Sequence, residues 1–150
     1  MDVDRAQSSW KLGRLPVGDL PELGALLMMR GHEGPAILEL ASFHRPTEGD
    51  VPAALVERAF AEAGRPPLDL EGAMCREAAY LLRDLPSPAE ALRALRDLVR
   101  GRAEFVYGGP LAELAGLAME WEEFSDEPGV QRSLEEALPS ARERYLGKIR

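Results

Sequence analysis

The sequence predicts an all-α protein of six to eight short helices in a compact bundle. Three observations lead there. Helix start and stop residues recur throughout the 150 residues, and apolar residues between them fall three and four apart. No stretch of four or more residues alternates with the two-residue period of a strand. Connections are short, so stacked helical hairpins in a right-handed array are the second choice. No repeat at a fixed period is visible, which puts the bundle first. One helical domain is expected to cover 1–150, with residues 1–15 as a loosely packed N-terminal arm.

The elements follow in order. Asp19-Leu20-Pro21-Glu22 reads as a capping box and Gly31 as a C-terminal stop. Between them Leu20, Leu23, Leu26, Leu27, Met28 and Met29 cover most of the circumference, which predicts a central helix. Pro35 opens the segment AILELASF, ending near His44 and Pro46. Asp50 precedes a third helix and Gly64 follows it. Leu55, Val56, Ala59, Phe60 and Ala63 share one face there, with Glu57, Arg58 and Glu62 towards solvent. Pro66-Pro67 breaks the chain. A fourth helix, from near Asp69, carries Leu70, Met74, Ala78, Leu81 and Leu85 at helical spacing.

Ser87-Pro88-Ala89-Glu90 is the clearest start signal: Ser can cap, Pro suits the first helical position, and Glu can reach back. This helix should run to Gly101 with Leu92, Leu95, Leu98 and Val99 inward. GRAEFVYGGP reads as a loop, because a lone EFVY strand would have nothing to pair with. Pro110 opens a sixth helix reaching about Trp121, and SDEPG is a turn. Val130 to Ile149 forms one or two last helices, separated or kinked at Pro139.

Composition narrows the function. Apolar residues make up 45% of the chain, enough for a folded core. A net charge of −8 argues against nucleic-acid binding and against anionic membrane surfaces, both of which need clustered cations. It suits docking onto a basic protein partner. The single Cys75 cannot form an internal disulfide. The start, MDVDRAQSS, lacks the basic and apolar regions of a signal peptide, and no apolar run approaches the roughly 20 residues of a membrane helix. Cytoplasmic residence is the expectation. Lys11 and Lys148 are the only lysines among 18 basic residues, which suggests a GC-rich bacterial genome and says nothing of function.

Candidates for chemistry are few. Cys75 falls off the Leu70–Met74–Leu81 stripe and has no His near it in sequence, so it reads as structural rather than nucleophilic. His32-Glu33 and His44 show no HxxxH or HExxH spacing, and no metal or cofactor is expected. Gly108-Gly109-Pro110 precedes a helix but lacks the Lys and Ser or Thr of a phosphate loop. Glu77 is an anomalous acid on the apolar face of its helix. It is either an acid in a cleft, a partner for an Arg from a neighbouring helix, or a group on a stripe shallow enough to reach water; the last two are favoured. Arg93, Arg96 and Arg100 share one face, with Arg102 just beyond; in isolation such a face could bind phosphate or an acidic peptide. On so acidic a chain they are expected to pair with acids from another helix or to face solvent.

The segment AMEWEEFSDEPG is the most distinctive. Glu120, Glu122, Glu123, Asp126 and Glu127 surround Trp121 and Phe124, with no basic residue between. Glu122, in a longer helix, would point with Leu111 and Ala118, and that conflict predicts a helix end near Trp121. An aromatic anchor ringed by carboxylates is a workable interface for a basic partner. The competing reading is a core Trp beside a solvated acidic turn.

Trp10 with Leu12 and Gly13, the LELAS block from Leu38 to Ser42, and the segment from Pro110 through EWEEFSDEP to Leu138-Pro139 together resemble a family of small uncharacterised bacterial helical proteins. Some members are regarded as immunity proteins of polymorphic toxin systems. The resemblance implies an all-helical fold and toxin neutralisation, and it carries over no catalytic residue. The expected function is a non-catalytic interaction protein binding a basic partner through Glu120, Trp121, Glu123, Phe124, Asp126 and Glu127. A self-associating structural subunit, or an enzyme using Glu77 or Cys75, are the alternatives.

Overall fold

The structure, a computed structural model, describes residues 1–149. Among these, eight α-helices and two 3-10 turns account for the regular structure, and no strand is present. The helices are α1 (Val3–Lys11), α2 (Leu20–Met29), α3 (Pro35–Ser42), α4 (Ala53–Glu62), α5 (Leu70–Asp84), α6 (Pro88–Val99), α7 (Ala112–Glu123) and α8 (Pro128–Lys148). They group into two units, Met1–Ala73 and the chain from Met74 onward, with the boundary inside α5.

In the first unit α2 packs on α3 and α3 on α4, with α1 against α2. The core is made by Leu20, Leu23, Leu27, Ile37, Leu40, Leu55, Val56 and Phe60, all essentially inaccessible. α2 and α3 approach closely at Gly24, where a Cβ would lie 2.6 Å from the Ala41 backbone nitrogen. In place of a loose arm, the N-terminus forms α1. Asp2 caps it by accepting the Arg5 N–H at 3.0 Å, and Val3 and Ala6 are buried. Gln7 Nε2 donates to the Pro66 carbonyl at 2.9 Å, and Arg65 pairs with Asp4 at 2.6 Å. A polar N-terminal composition hid a helix whose buried face is only two apolar side chains and a Gln-Ser pair.

Two start signals work differently from expectation. Asp19 does not cap α2, because the 3-10 turn Val17–Asp19 runs directly into the helix and leaves Asp19 itself in helical conformation. Asp50 caps no helix either. Its carboxylate accepts the Thr47 N–H and hydroxyl, at 2.7 and 2.8 Å, and these bonds hold its pKa below the ordinary carboxylate value. α2 is not apolar all round in burial: Met28 and Met29 face solvent, Met29 at 85% exposure. Gly31 does end it, in the left-handed conformation at φ 91°.

Glu62 was expected to face solvent. It is exposed, as expected, but its carboxylate also reaches α3, where Oε1 accepts the Ala36 N–H and Oε2 the Ile37 N–H, each at 3.0 Å. The first turn of α3 has no side-chain cap of its own, so α4 supplies one from its last residue. A carboxylate there satisfies two orphan donors and suits the positive helix end. Gly34 leaves room for this carboxylate, since a Cβ there would run into the end of the Glu62 side chain and push it aside. Glu62→Ala should cost about 1–2 kcal/mol by loss of this cap. Gly34→Ala should cost a similar amount by displacing the carboxylate, and the two should be strongly non-additive in a urea-denaturation double-mutant cycle. Additive losses would mean that Gly34→Ala acts other than by displacing Glu62.

In the second unit α6, α7 and α8 pack on one another. Leu92, Leu95 and Leu98 of α6, Leu114 and Ala118 of α7, and Leu138 and Ala141 of α8 are fully buried. The last residues of α5 turn Leu82 inward rather than Leu81. α5 is tied to α8 by two side-chain bonds: the Tyr145 hydroxyl donates to the Cys75 carbonyl at 2.6 Å, and Arg142 Nη2 to the Leu85 carbonyl at 3.0 Å. Burial pushes the Tyr145 phenol pKa far up, so it stays a neutral donor. α8 runs unbroken through Pro139. The EFVY segment holds a 3-10 turn, Ala103–Phe105, and no strand.

Candidate functional site

The acidic segment lies where α7 passes into α8. α7 extends to Glu123, beyond the stop expected near Trp121. The reason is Glu122. A carboxylate at that position looked incompatible with a packed face, but α6 places Arg96 and Arg100 opposite it. Glu122 pairs with Arg96 Nε and, at 3.5 Å, with Arg100 Nη2. Arg100 also reaches Asp97, one turn back, at 3.6 Å. Arg96 and Arg100 thus stand beside an acid of the neighbouring helix, as the charge balance led one to expect, although the buried Arg96 Nε makes no hydrogen bond among the described residues.

Trp121 is fixed rather than presented. It is half-buried. Its indole Nε1 donates to Glu135 Oε1 at 3.2 Å, and its carbonyl accepts Gln131 Nε2 at 2.9 Å, both from α8. The Arg93 guanidinium stands 5.8 Å from the ring centroid on the α6 side, within cation–π range. Three helices therefore converge on this ring. Phe124 is also half-buried. With both rings half-buried, the exposed groups of the corner are its acids.

Glu120, Glu123, Asp126 and Glu127 are all exposed. Their positions differ in electrostatic meaning. Asp126 and Glu127 sit just before α8, where the helix dipole favours negative charge. Glu120 and Glu123 occupy the last turn of α7, which has no basic residue. Carboxylates there oppose the dipole by about 0.3–1 kcal/mol each. Helix stability accounts for the first pair and not for the second. Further along the same helices, Glu113 is held below its ordinary pKa chiefly by the hydrogen bond from Arg144, so acids on this face do take cationic partners where one is in reach.

The remaining candidates are separated. Cys75 is half-buried and in no disulfide, its carbonyl taken by Tyr145. Glu77 is buried, at 6% exposure, so its side chain does not reach open water and the shallow-stripe reading fails. Among the described residues no group of three or more His, Cys, Asp or Glu could hold a metal ion, and no helix is long and apolar enough to cross a membrane. Sequence reasoning missed Glu62, Gly24 and Tyr145. Each acts on an element distant in sequence, so no local spacing marks it.

No protein-family model, curated protein or solved structure matches this chain.

Proposed function

We propose that the protein is a non-catalytic interaction module that binds a basic protein partner through the acidic corner between α7 and α8, in the manner of an immunity protein neutralising a toxin. The observation that carries this reading is the exposure of Glu120 and Glu123 at the C-terminal turn of α7. They work against the helix they belong to, and a cationic partner would relieve that cost. Asp126 and Glu127 widen the negative surface, and the net charge of −8 extends its attraction over distance. Trp121, held by Glu135 and Arg93, keeps the corner rigid rather than inserting into the partner.

Glu123→Lys, Asp126→Lys and Glu127→Lys combined should slow association by about ten- to a hundredfold and flatten its dependence on salt. The bait is used in lysate of the source organism at low and high salt, with mass spectrometry of the retained proteins. A basic protein held by the wild type at low salt, released at high salt and lost by the triple variant supports the reading. Co-expression that relieves the toxicity of that protein would extend it to neutralisation. Equal retention by the correctly folded variant, or no retention by either, overturns it.

One observation favours a second reading. Met29, Met28 and Leu38 of the first unit are 85, 41 and 45% exposed, and exposed apolar side chains grouped on neighbouring helices favour self-association. Sedimentation equilibrium distinguishes the two, since a monomer at high concentration removes this alternative.

A further inference from the structure

A cleft of about 250 Å3 opens where α6 ends, beside the acidic corner and distinct from its exposed acids. Arg96, Arg100 and Arg102 line it, with Tyr107 and Met119. Three guanidinium groups around one small cleft are unexpected on a chain of net charge −8. The acids in reach are Asp97 and Glu122, with Glu104 exposed on the following turn. Glu122 is shared between Arg96 and Arg100. Arg102 is held differently: its Nη1 donates to the Leu98 carbonyl at 2.7 Å, near the last turn of α6. That bond orients the guanidinium without cancelling its charge. Gly101, left-handed at φ 73°, turns the chain so that Arg102 follows Arg100 around the cleft. Tyr107 is 86% exposed at the same cleft, an uncovered ring beside cationic groups.

We infer that this cleft binds the phosphoryl group of a small molecule, with Glu122 occupying two of its three arginines in the free protein. Guanidinium forks match phosphate oxygens bidentately, and a phosphate offers three oxygens where Glu122 offers two. A dianion competes for Arg96 and Arg100 better than one carboxylate does, and Arg102 supplies a third cation that no carboxylate among the described residues holds. The cleft lies below the usual ~300–1,000 Å3 of small-molecule pockets, so it admits a phosphoryl group while the rest of the ligand extends over Tyr107. An aromatic face there accepts a planar or apolar substituent.

The test titrates inorganic phosphate, and separately phenyl phosphate, into the full chain while backbone amides are followed by NMR at constant ionic strength, with acetate as the control. Saturable shifts confined to Arg96–Tyr107 and Glu122, stronger for phenyl phosphate and weak for acetate, are expected. Glu122→Gln should tighten phosphate binding by about three- to tenfold, by removing the internal competitor. Arg100→Ala, an exposed substitution, should weaken it by about tenfold or more. Equal shifts with phosphate and acetate, or no localised shift in either the wild type or folded Glu122→Gln at millimolar phosphate, would overturn the assignment. Phosphate shifts that exceed those of phenyl phosphate would remove Tyr107 from it.

Discussion

Phe60→Ala is expected to destabilise the protein by about 3–5 kcal/mol, the usual cost of an aromatic ring lost from a packed core. Phe60 is 1% exposed, and Leu55, Val56 and Ala59 beside it on α4 are equally closed off. Leu20, Leu23 and Leu27 of α2 and Ile37 and Leu40 of α3 belong to the same cluster. The truncation therefore removes both the ring's transfer free energy and the contacts that the surrounding helices make with it. These are short helices, of 8 and 10 residues for α3 and α4, which are marginal without tertiary packing. Folded domains hold only about 5–15 kcal/mol in total, so a large part of the stability is at stake. Phe60→Leu should cost clearly less, and Glu57→Ala, on the solvent side of the same helix, less than about 0.5 kcal/mol. Urea denaturation of the three variants checks this. Equal midpoints for Phe60→Ala and Glu57→Ala would be incompatible with the described core.

That core was readable because α4 obeys local rules. Its apolar residues fall at helical spacing, and a face assigned by angle coincides with the face that is buried. The same holds for Leu92, Leu95, Leu98 and Val99 of α6. Start and stop signals placed most boundaries to within a few residues, since Pro at a first turn and Gly in the left-handed region act through the backbone alone. The failures have a common origin. α1 buries Val3 and Ala6 but completes its packing with Gln7 and Ser8, so no apolar stripe announces it. Asp19 and Asp50 are good capping residues whose backbone conformation or local turn engages them elsewhere. Pro139 stays inside α8, where the surrounding packing overrides its preference for a break.

The acidic corner was legible in position and misread in detail. A run of acids around Trp121 marks the place, and the four outer carboxylates are exposed as their polarity implies. The role of Trp121 was not readable. Its partners Arg93 and Glu135 come from α6 and α8, separated from it by 28 and 14 positions. Glu122 shows the same limit from the other side. By helical angle it belongs with the apolar residues and should end the helix. Arg96 and Arg100, brought opposite by the packing of α6 on α7, make the position tolerable. Wheel geometry reports which way a side chain points but not what it meets.

Gly24 and Gly116 carry the second large effect, because the same substitution at the two should have opposite signs. Both lie inside helices, α2 and α7, where Ala is intrinsically better than Gly by about 1 kcal/mol. At Gly116 a Cβ would meet nothing within 4 Å. Gly116→Ala should therefore stabilise by about 0.5–1 kcal/mol, through propensity and a less flexible unfolded chain. At Gly24 the added Cβ would fall 2.6 Å from the Ala41 nitrogen and 2.9 Å from its Cα. Those are backbone atoms of α3 and cannot swing aside as a side chain would, so the two helices must separate. Forced expansion of a packed interface costs about 1–3 kcal/mol, which outweighs the propensity gain. Gly24→Leu, with more volume at the same point, should lose about 3 kcal/mol or more, and Ala41→Gly should restore little of it, because the nitrogen and Cα that the new side chain meets remain. Thermal or urea midpoints of the four variants give the signs directly. Stabilisation by Gly24→Ala, or full rescue of Gly24→Leu by Ala41→Gly, would show that the backbones of α2 and α3 do not meet at this crossing.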